Sequence, residues 1–315
     1  MSVDRMTRVL SALRDEPVDR PPVCFWHHFG AIGPEATVRE HVRFYRESGE
    51  DILKMMCDEF FIYPLPESPS AQDLLSLRPL GRQSAYISGQ VERAARINEA
   101  LAGEAFTLYN AFSPYATLKH ALGDGESMAL LRASEQAALH ALDVIAEDTC
   151  LLIEGILTQT GTRGMMLPLQ GAERGRFTPE EYARLIAPSD RRVVLCADAL
   201  SDANLLHLCG WDGVPNQLDL WKDYPGRIVN WAVGVEGLSL AAGRALFPGR
   251  VVMGGFDNRE GALLHRGEKE RIRAFTRTLL REAGAEGLIV GADCSLPPDI
   301  DPARIRWVIE ALEEA

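Results

Sequence analysis

Short apolar stretches alternate with longer segments of helical period along most of this chain. Eight stretches rich in apolar and β-branched residues stand out: Val23–Phe29, Ile52–Asp58, Phe106–Phe112, Met165–Gln170, Asn204–Cys209, Ile228–Val233, Val251–Asp257 and Leu288–Cys294. Helix-type periodicity fills most of the intervals, at Gly33–Ser48, Ser127–Thr160, Pro179–Ala199, Glu236–Leu246, Glu268–Ala283 and Pro302–Ala315. Thr178-Pro-Glu-Glu combines an N-cap hydroxyl, a first-turn proline and early acids, and Asp301-Pro-Ala-Arg repeats the device. Strands that alternate with helices imply parallel pairing through right-handed crossovers. Eight such units in 315 residues predict an α/β chain folded as a closed (β/α)8 TIM barrel. An open dinucleotide-binding sheet needs a glycine-rich loop after its first strand, and Trp26-His-His-Phe-Gly-Ala-Ile-Gly-Pro34 does not match one.

The pattern gives one domain over residues 1–315, with an N-terminal helix and lead-in over 1–20. Pro64, Pro66, Pro69 and Pro79 mark 63–82 as a long loop near the barrel mouth, and a short hairpin is expected around Ser84–Ser88. No stretch approaches the 18 or so apolar residues of a membrane span, and the first residues lack the apolar core of a signal peptide. The six cysteines are dispersed, which fits free thiols in a reducing compartment, so a cytoplasmic location is expected. A net charge of −12 argues against nucleic acid or an anionic membrane as partner.

In such barrels the active site forms at the C-terminal ends of the strands. Here those ends offer His27, His28, Asp58, Asn110, Gln170, His207, Cys209, Asn230, Asp257 and Cys294. Residues two apart on a strand point to the same side, so His207 and Cys209 can share one target. On the second strand the same parity makes Lys54, Met56 and Asp58 the barrel-lining set, and on the eighth it groups Cys294 with Val290 and Ala292. One imidazole and two thiolates suit zinc, and three protein ligands leave a fourth position open for chemistry. The competing reading is three ordinary core residues, since free cysteine is commonly buried. Asp58 is a candidate to orient substrate or accept a proton, and one of His27 and His28, opposite in parity, a candidate proton carrier. Asn110, Gln170 and Asn230 are candidates for polar substrate groups.

The opening Arg8–Val23, Phe112-Ser-Pro-Tyr-Ala-Thr-Leu118, Phe177-Thr-Pro-Glu-Glu-Tyr182, Gly254-Gly-Phe-Asp-Asn258 and the strand-eight ending resemble the uroporphyrinogen decarboxylase superfamily along nearly the whole chain. That superfamily holds cofactor-free tetrapyrrole decarboxylases and zinc-dependent methyltransferases that act with corrinoid proteins, including the methylcobamide:coenzyme M and O-demethylase types. The zinc enzymes use a His-x-Cys on strand five and a cysteine after strand eight, a pattern that His207, Cys209 and Cys294 match. Decarboxylases instead have a Gly-His-Gly near Cys294 and an Arg-Gln-Ala-Gly-Arg type segment where this chain has Trp26-His-His-Phe-Gly-Ala. The resemblance also aligns His120 with their catalytic tyrosine, making it a substrate-binding candidate, and Asp58 with their essential aspartate.

What the resemblance implies is a zinc methyltransferase that moves a methyl group between a small thiol or methyl ether and a corrinoid. The chain lacks an Asp-x-His-x-x-Gly cobalamin loop, so the corrinoid is expected on a separate protein. A homodimer through barrel faces is the further partner that relatives suggest. The alternatives are a metal-free decarboxylase centred on Asp58 and a non-catalytic protein that binds a corrinoid partner or a metabolite.

Overall fold

The computed structural model describes residues 3–30, 33–61 and 63–315. Eight parallel strands are present: β1 Val23–Cys24, β2 Ile52–Met55, β3 Phe106–Asn110, β4 Gly164–Leu169, β5 Leu205–Leu208, β6 Ile228–Trp231, β7 Val251–Phe256 and β8 Leu288–Ala292. Each falls within one of the eight apolar stretches or, for β4, begins one residue ahead of it. Their order, β1-β8-β7-β6-β5-β4-β3-β2, is that of a barrel with one seam, between β1 and β2. This is the expected (β/α)8 architecture.

Side chains of opposite parity separate into two cores. Cys24, Trp26, Ile52, Met56, Phe106, Leu108, Met166, Leu205, Ile228, Val251, Met253 and Ile289 pack inside the barrel, whose floor is closed by Val9 and Leu13 of the helix Arg5–Leu13. Val23, Leu53, Met55, Tyr109, Leu167, Leu206, Val229, Val252 and Val290 face the helical layer. The β8 parity is therefore the reverse of the sequence expectation: Val290 and Ala292 point outward, and Ile289 inward. Cys294 reaches the interior because β8 ends at Ala292 and the chain turns. Asp293 N–H donates to Phe256 O at 2.8 Å and Leu296 N–H to Trp26 O at 2.8 Å, pinning the turn across both neighbouring strands.

Two expected helices are broken in two. Ser134, at φ −152° and ψ 104°, caps a new helix by accepting from Ala137 N–H and so divides Asp124–Ala133 from Glu135–Gln159. Ile186 separates Pro179–Leu185 from Ala187–Asp198 just ahead of Pro188. The helix expected over Glu236–Leu246 is Leu240–Leu246, and the short helix Val233–Glu236 before it ends at Gly237, left-handed at φ 62°. The hairpin expected around Ser84–Ser88 is instead a helix, Ala85–Leu101, capped by Ser84. Its buried stripe, Ile87, Gln90, Ala94, Ile97 and Leu101, includes a glutamine and an alanine, which blurs the apolar period. Within 63–82, Ala71–Ser76 is helical, and this segment is held on the helix Glu135–Gln159 by Asp148, which accepts from Tyr63 O–H and from the N–H groups of Leu80 and Gly81. No helix among the described residues is long and apolar enough to cross a membrane.

The seam is closed by side chains. Asp51 N–H donates to Val23 O at 3.0 Å, while the Asp51 and Glu50 carboxylates accept from Val23 N–H and Phe25 N–H at 2.9 and 2.8 Å. Asp51 is fully buried between Arg8 (2.7 Å) and Arg20 (2.6 Å). Removing one partner of such a buried network leaves a charge unpaired, at a cost of about 3–5 kcal/mol. Asp51→Asn is accordingly expected to lower unfolding stability by about 3 kcal/mol or more in urea titrations. A change near zero would show that the seam does not depend on this carboxylate.

Candidate metal centre

His207 is the third residue of β5, in register with Pro168 of β4 and Asn230 of β6. Its Nδ1 bonds to Asn230 Oδ1. The direction of that bond is fixed from behind, because Asn230 Nδ2 donates to Met253 O at 3.0 Å and Ala292 O at 3.1 Å. Oδ1 must then accept, so Nδ1 carries a proton and Nε2 is the nitrogen turned toward the cysteines. Trp26 packs edge-on against the same ring at 5.8 Å and is itself anchored through Nε1 to Ser295 Oγ at 3.1 Å.

Cys294 Sγ lies 3.4 Å from His207 Nε2, and the donor atoms of His207, Cys209 and Cys294 all fall within 4.8 Å of one another. Tetrahedral zinc, with bonds of about 2.3 Å to sulfur and about 2.0 Å to nitrogen, spaces its ligands on the order of 3.5 Å apart. The three residues fit such an ion in donor type, spacing and tautomer. The two thiols share a proton unequally: a bond from Cys209 and the neighbouring His207 hold Cys294 well below the usual thiol range, while that same bond and burial push Cys209 up. Gly210 lets the chain leave after Cys209, since a Cβ there would lie 2.7 Å from that of Ala232. Asn216 then ties Cys209 O to Glu236 through its amide.

A cavity of about 290 Å³ adjoins this group, walled by Trp26, Met56, Phe60, Phe112, Met166 and Trp211. Besides the three donors, five polar residues also line it: His28, Lys54, Asn110, Gln170 and Ser295. Asn110 Nδ2 and Gln170 Oε1 are buried without hydrogen-bond partners. Lys54 is 2 % exposed; its Nζ touches Met56 Sδ at 3.0 Å and lies 5.1 Å from the Trp26 ring centroid. Burial pushes its pKa down to about 8. Sequence parity placed Lys54 inside the barrel but attached no role to it; the signal was a lysine in an otherwise apolar strand.

The other candidates divide. His28 lies at the mouth, with Nδ1 2.7 Å from Asp58 Oδ1, whereas His27 packs between Phe29 and Phe44 and burial lowers its pKa. Asp58 is not on the cavity wall: its second oxygen accepts from Phe29 and Gly30 N–H, so it braces the β1 loop. Asn230, expected to meet substrate, has its amide consumed behind His207. His120 stacks on Phe60 at 3.6 Å beside Lys119, in an adjoining cleft of about 360 Å³ that shares Phe60, Phe112, Gln170 and Trp211. Trp211 forms the rim, under Lys119 Nζ at 3.7 Å and bonded to Glu173 at 2.8 Å.

Comparisons with known proteins agree with this barrel. The family model described as uroporphyrinogen decarboxylase (URO-D) matches residues 63–315. Among solved structures, a methyltransferase from Methanosarcina mazei aligns over 99 % of each chain with TM-score 0.82 at 16 % identity. A B12-independent methionine synthase from Shewanella sp. W3-18-1 aligns over 95 % of this chain and 94 % of its own, with TM-score 0.56 at 13 % identity. At these identities both show the fold alone. No curated protein matches in sequence.

The Asp58 brace has a pH signature. Burial alone would raise its pKa, but the His28 bond and charge and the two N–H donors outweigh it and hold the carboxyl below its usual range. A depressed folded pKa means the brace is complete above the unfolded carboxylate pKa and is lost as pH falls through the lower folded value. Amide exchange at Phe29 and Gly30 is expected to be slow at neutral pH and to accelerate in Asp58→Asn by about tenfold, the loss of roughly one net hydrogen bond. Unchanged exchange in the variant would exclude the brace.

Proposed function

We propose that this chain, which belongs to the uroporphyrinogen decarboxylase family, is a zinc-dependent methyltransferase that moves a methyl group between a small thiol or methyl ether and a corrinoid carried by a separate protein. The observation that supports this reading most is the convergence of His207, Cys209 and Cys294 beside a cavity large enough for a small substrate. The Methanosarcina mazei barrel of the same shape is named a methyltransferase, which agrees with it. Bound by these three residues, zinc would act as a Lewis acid, stabilising a thiol substrate as thiolate or polarising an ether oxygen.

The protein's own contribution is positioning and exclusion of water. Asn230 holds the His207 ring so that Nε2 is presented, and two thiolates balance the charge of a divalent ion. Trp26, Met56, Phe60, Phe112 and Met166 keep the space beside the ligands apolar. His28, backed by Asp58, is the group that gives or takes a proton at the mouth. Decarboxylation centred on Asp58 has less support, because both of its oxygens are engaged by residues 28–30.

Protein purified without a histidine tag is expected to hold about one zinc per chain, fewer than about 0.1 in Cys294→Ala, and to transfer methyl groups between methylcobalamin and a thiol. Cys294→Ser that kept full zinc and full transfer would overturn the reading. Asn230→Ala is expected to weaken zinc binding about 10–100-fold in chelator competition, because the imidazole loses the partner that orients it. Zinc affinity equal to wild type would show that Asn230 does not set the ligand.

A further inference from the structure

We infer that Lys54 anchors an anionic oxygen group of the substrate, so that the small molecule handled beside the metal centre is an acid. This deepens the function proposed above and rests on it only for the reacting end of the substrate. The Lys54 ammonium is 2 % exposed, and among the described residues no carboxylate pairs with it; its contacts are a thioether and an indole face. Of the anionic groups that face it, Asp58 is engaged by His28, Phe29 and Gly30, and Cys294, whose thiolate favours the ammonium most, belongs to the donor set that a metal ion would take. Burying a cation without a counter-charge is costly and is tolerated where a ligand supplies the missing charge.

The metal does not supply it. Two thiolates and a neutral imidazole around a divalent ion give no net charge, so filling that site leaves the ammonium uncompensated. Lys54 also belongs to the same cavity as His207, Cys209 and Cys294. At about 290 Å³ the cavity has the volume of roughly ten water molecules at ~30 Å³ each, enough for a molecule that spans the two groups. A second donor waits beside it. Lys54 is in register with Leu108, and Asn110, two residues farther toward the mouth on β3, keeps an unpartnered Nδ2. An ammonium and an amide N–H₂ on adjacent strands make a donor pair for one carboxylate or sulfonate.

The test is calorimetric binding of matched pairs to the full chain, with and without zinc: 3-mercaptopropionate against 3-mercapto-1-propanol, and 4-methoxybenzoate against 4-methoxybenzyl alcohol. At least one acid is expected to bind tenfold or more tightly than its alcohol, and Lys54→Met to abolish that preference while leaving the alcohol's Kd within threefold. If Lys54→Met fails to fold, Lys54→Gln serves, with the same expectation. The double variant Cys209→Ala/Cys294→Ala, which cannot hold the metal, is expected to retain the preference, so failure of the zinc reading and failure of this inference give different results. Equal binding of both members of both pairs, no binding of either acid, or a preference that survives the loss of the Lys54 charge would overturn the inference.

Discussion

The barrel closes where the carboxylate of Asp51, buried between Arg8 and Arg20, takes over hydrogen bonds that a β1–β2 ladder would otherwise make. Asp19 holds the far side of Arg8 at 2.7 Å, so the segment ahead of β1 is bound into the same network. Everything the cavity needs from the first two strands depends on this closure. Trp26 and His28 follow β1, while Lys54, Met56 and Asp58 lie on β2 or follow it. If the seam opened by a residue, parity would send Lys54 outward and separate Trp26 from His207. The network sits under the floor of the barrel and the reacting groups at its mouth, so closure and chemistry act on opposite ends of the same strands.

A second constraint operates across β5, β6 and β8. Asn230 is the only polar residue of β6 that faces inward, and its amide joins His207 on one side to backbone carbonyls of β7 and of Ala292 on the other. One side chain thus fixes the imidazole relative to the strand end from which Cys294 departs. The turn after β8 is tied down separately: Asp293 accepts from Gly234 N–H, and burial pushes its pKa up to about 6. The two halves of the donor set, near neighbours at the end of β5 and a residue 85 positions beyond Cys209, converge because these bonds cross strand boundaries.

Strand periods made the barrel legible from sequence, since every strand is a short apolar run flanked by polar turns. His207 and Cys209 were legible for the same reason, as two residues of one parity, the second just past the end of β5 where its N–H still donates to Leu169 O. The parity argument failed at Cys294, because it extends a strand that in fact stops at Ala292, and a turn resets the direction of every side chain after it. It also failed to separate Asp58 from the cavity wall, since hydrogen bonds to the β1 loop decide where that carboxylate points. The helix Ala85–Leu101 was hidden because Gln90 and Ala94 occupy its buried face; Gln90 faces inward to bond the Tyr109 hydroxyl, a partner that only tertiary structure reveals. Asn230 was visible as a polar residue at a strand end, but a second partner determines whether such an amide meets substrate or scaffold.

Buried polar groups at the two ends of the barrel obey different accounts. At the floor the charges cancel locally: Arg8 and Arg20 face Asp51 and Asp19, and the carboxylates also accept from backbone N–H groups. Near the mouth the Lys54 ammonium has no carboxylate paired with it, and Asn110 and Gln170 each keep an unmatched atom. A fold selected only for stability would have little reason to keep a charged residue at Lys54, where an apolar side chain of similar length would pack against Met56 and Trp26 without a desolvation cost. Lys54, Asn110 and Gln170 share one cavity with the donor set. Polar groups held buried and unspent beside the donor set are what a binding site requires until a ligand of complementary charge arrives.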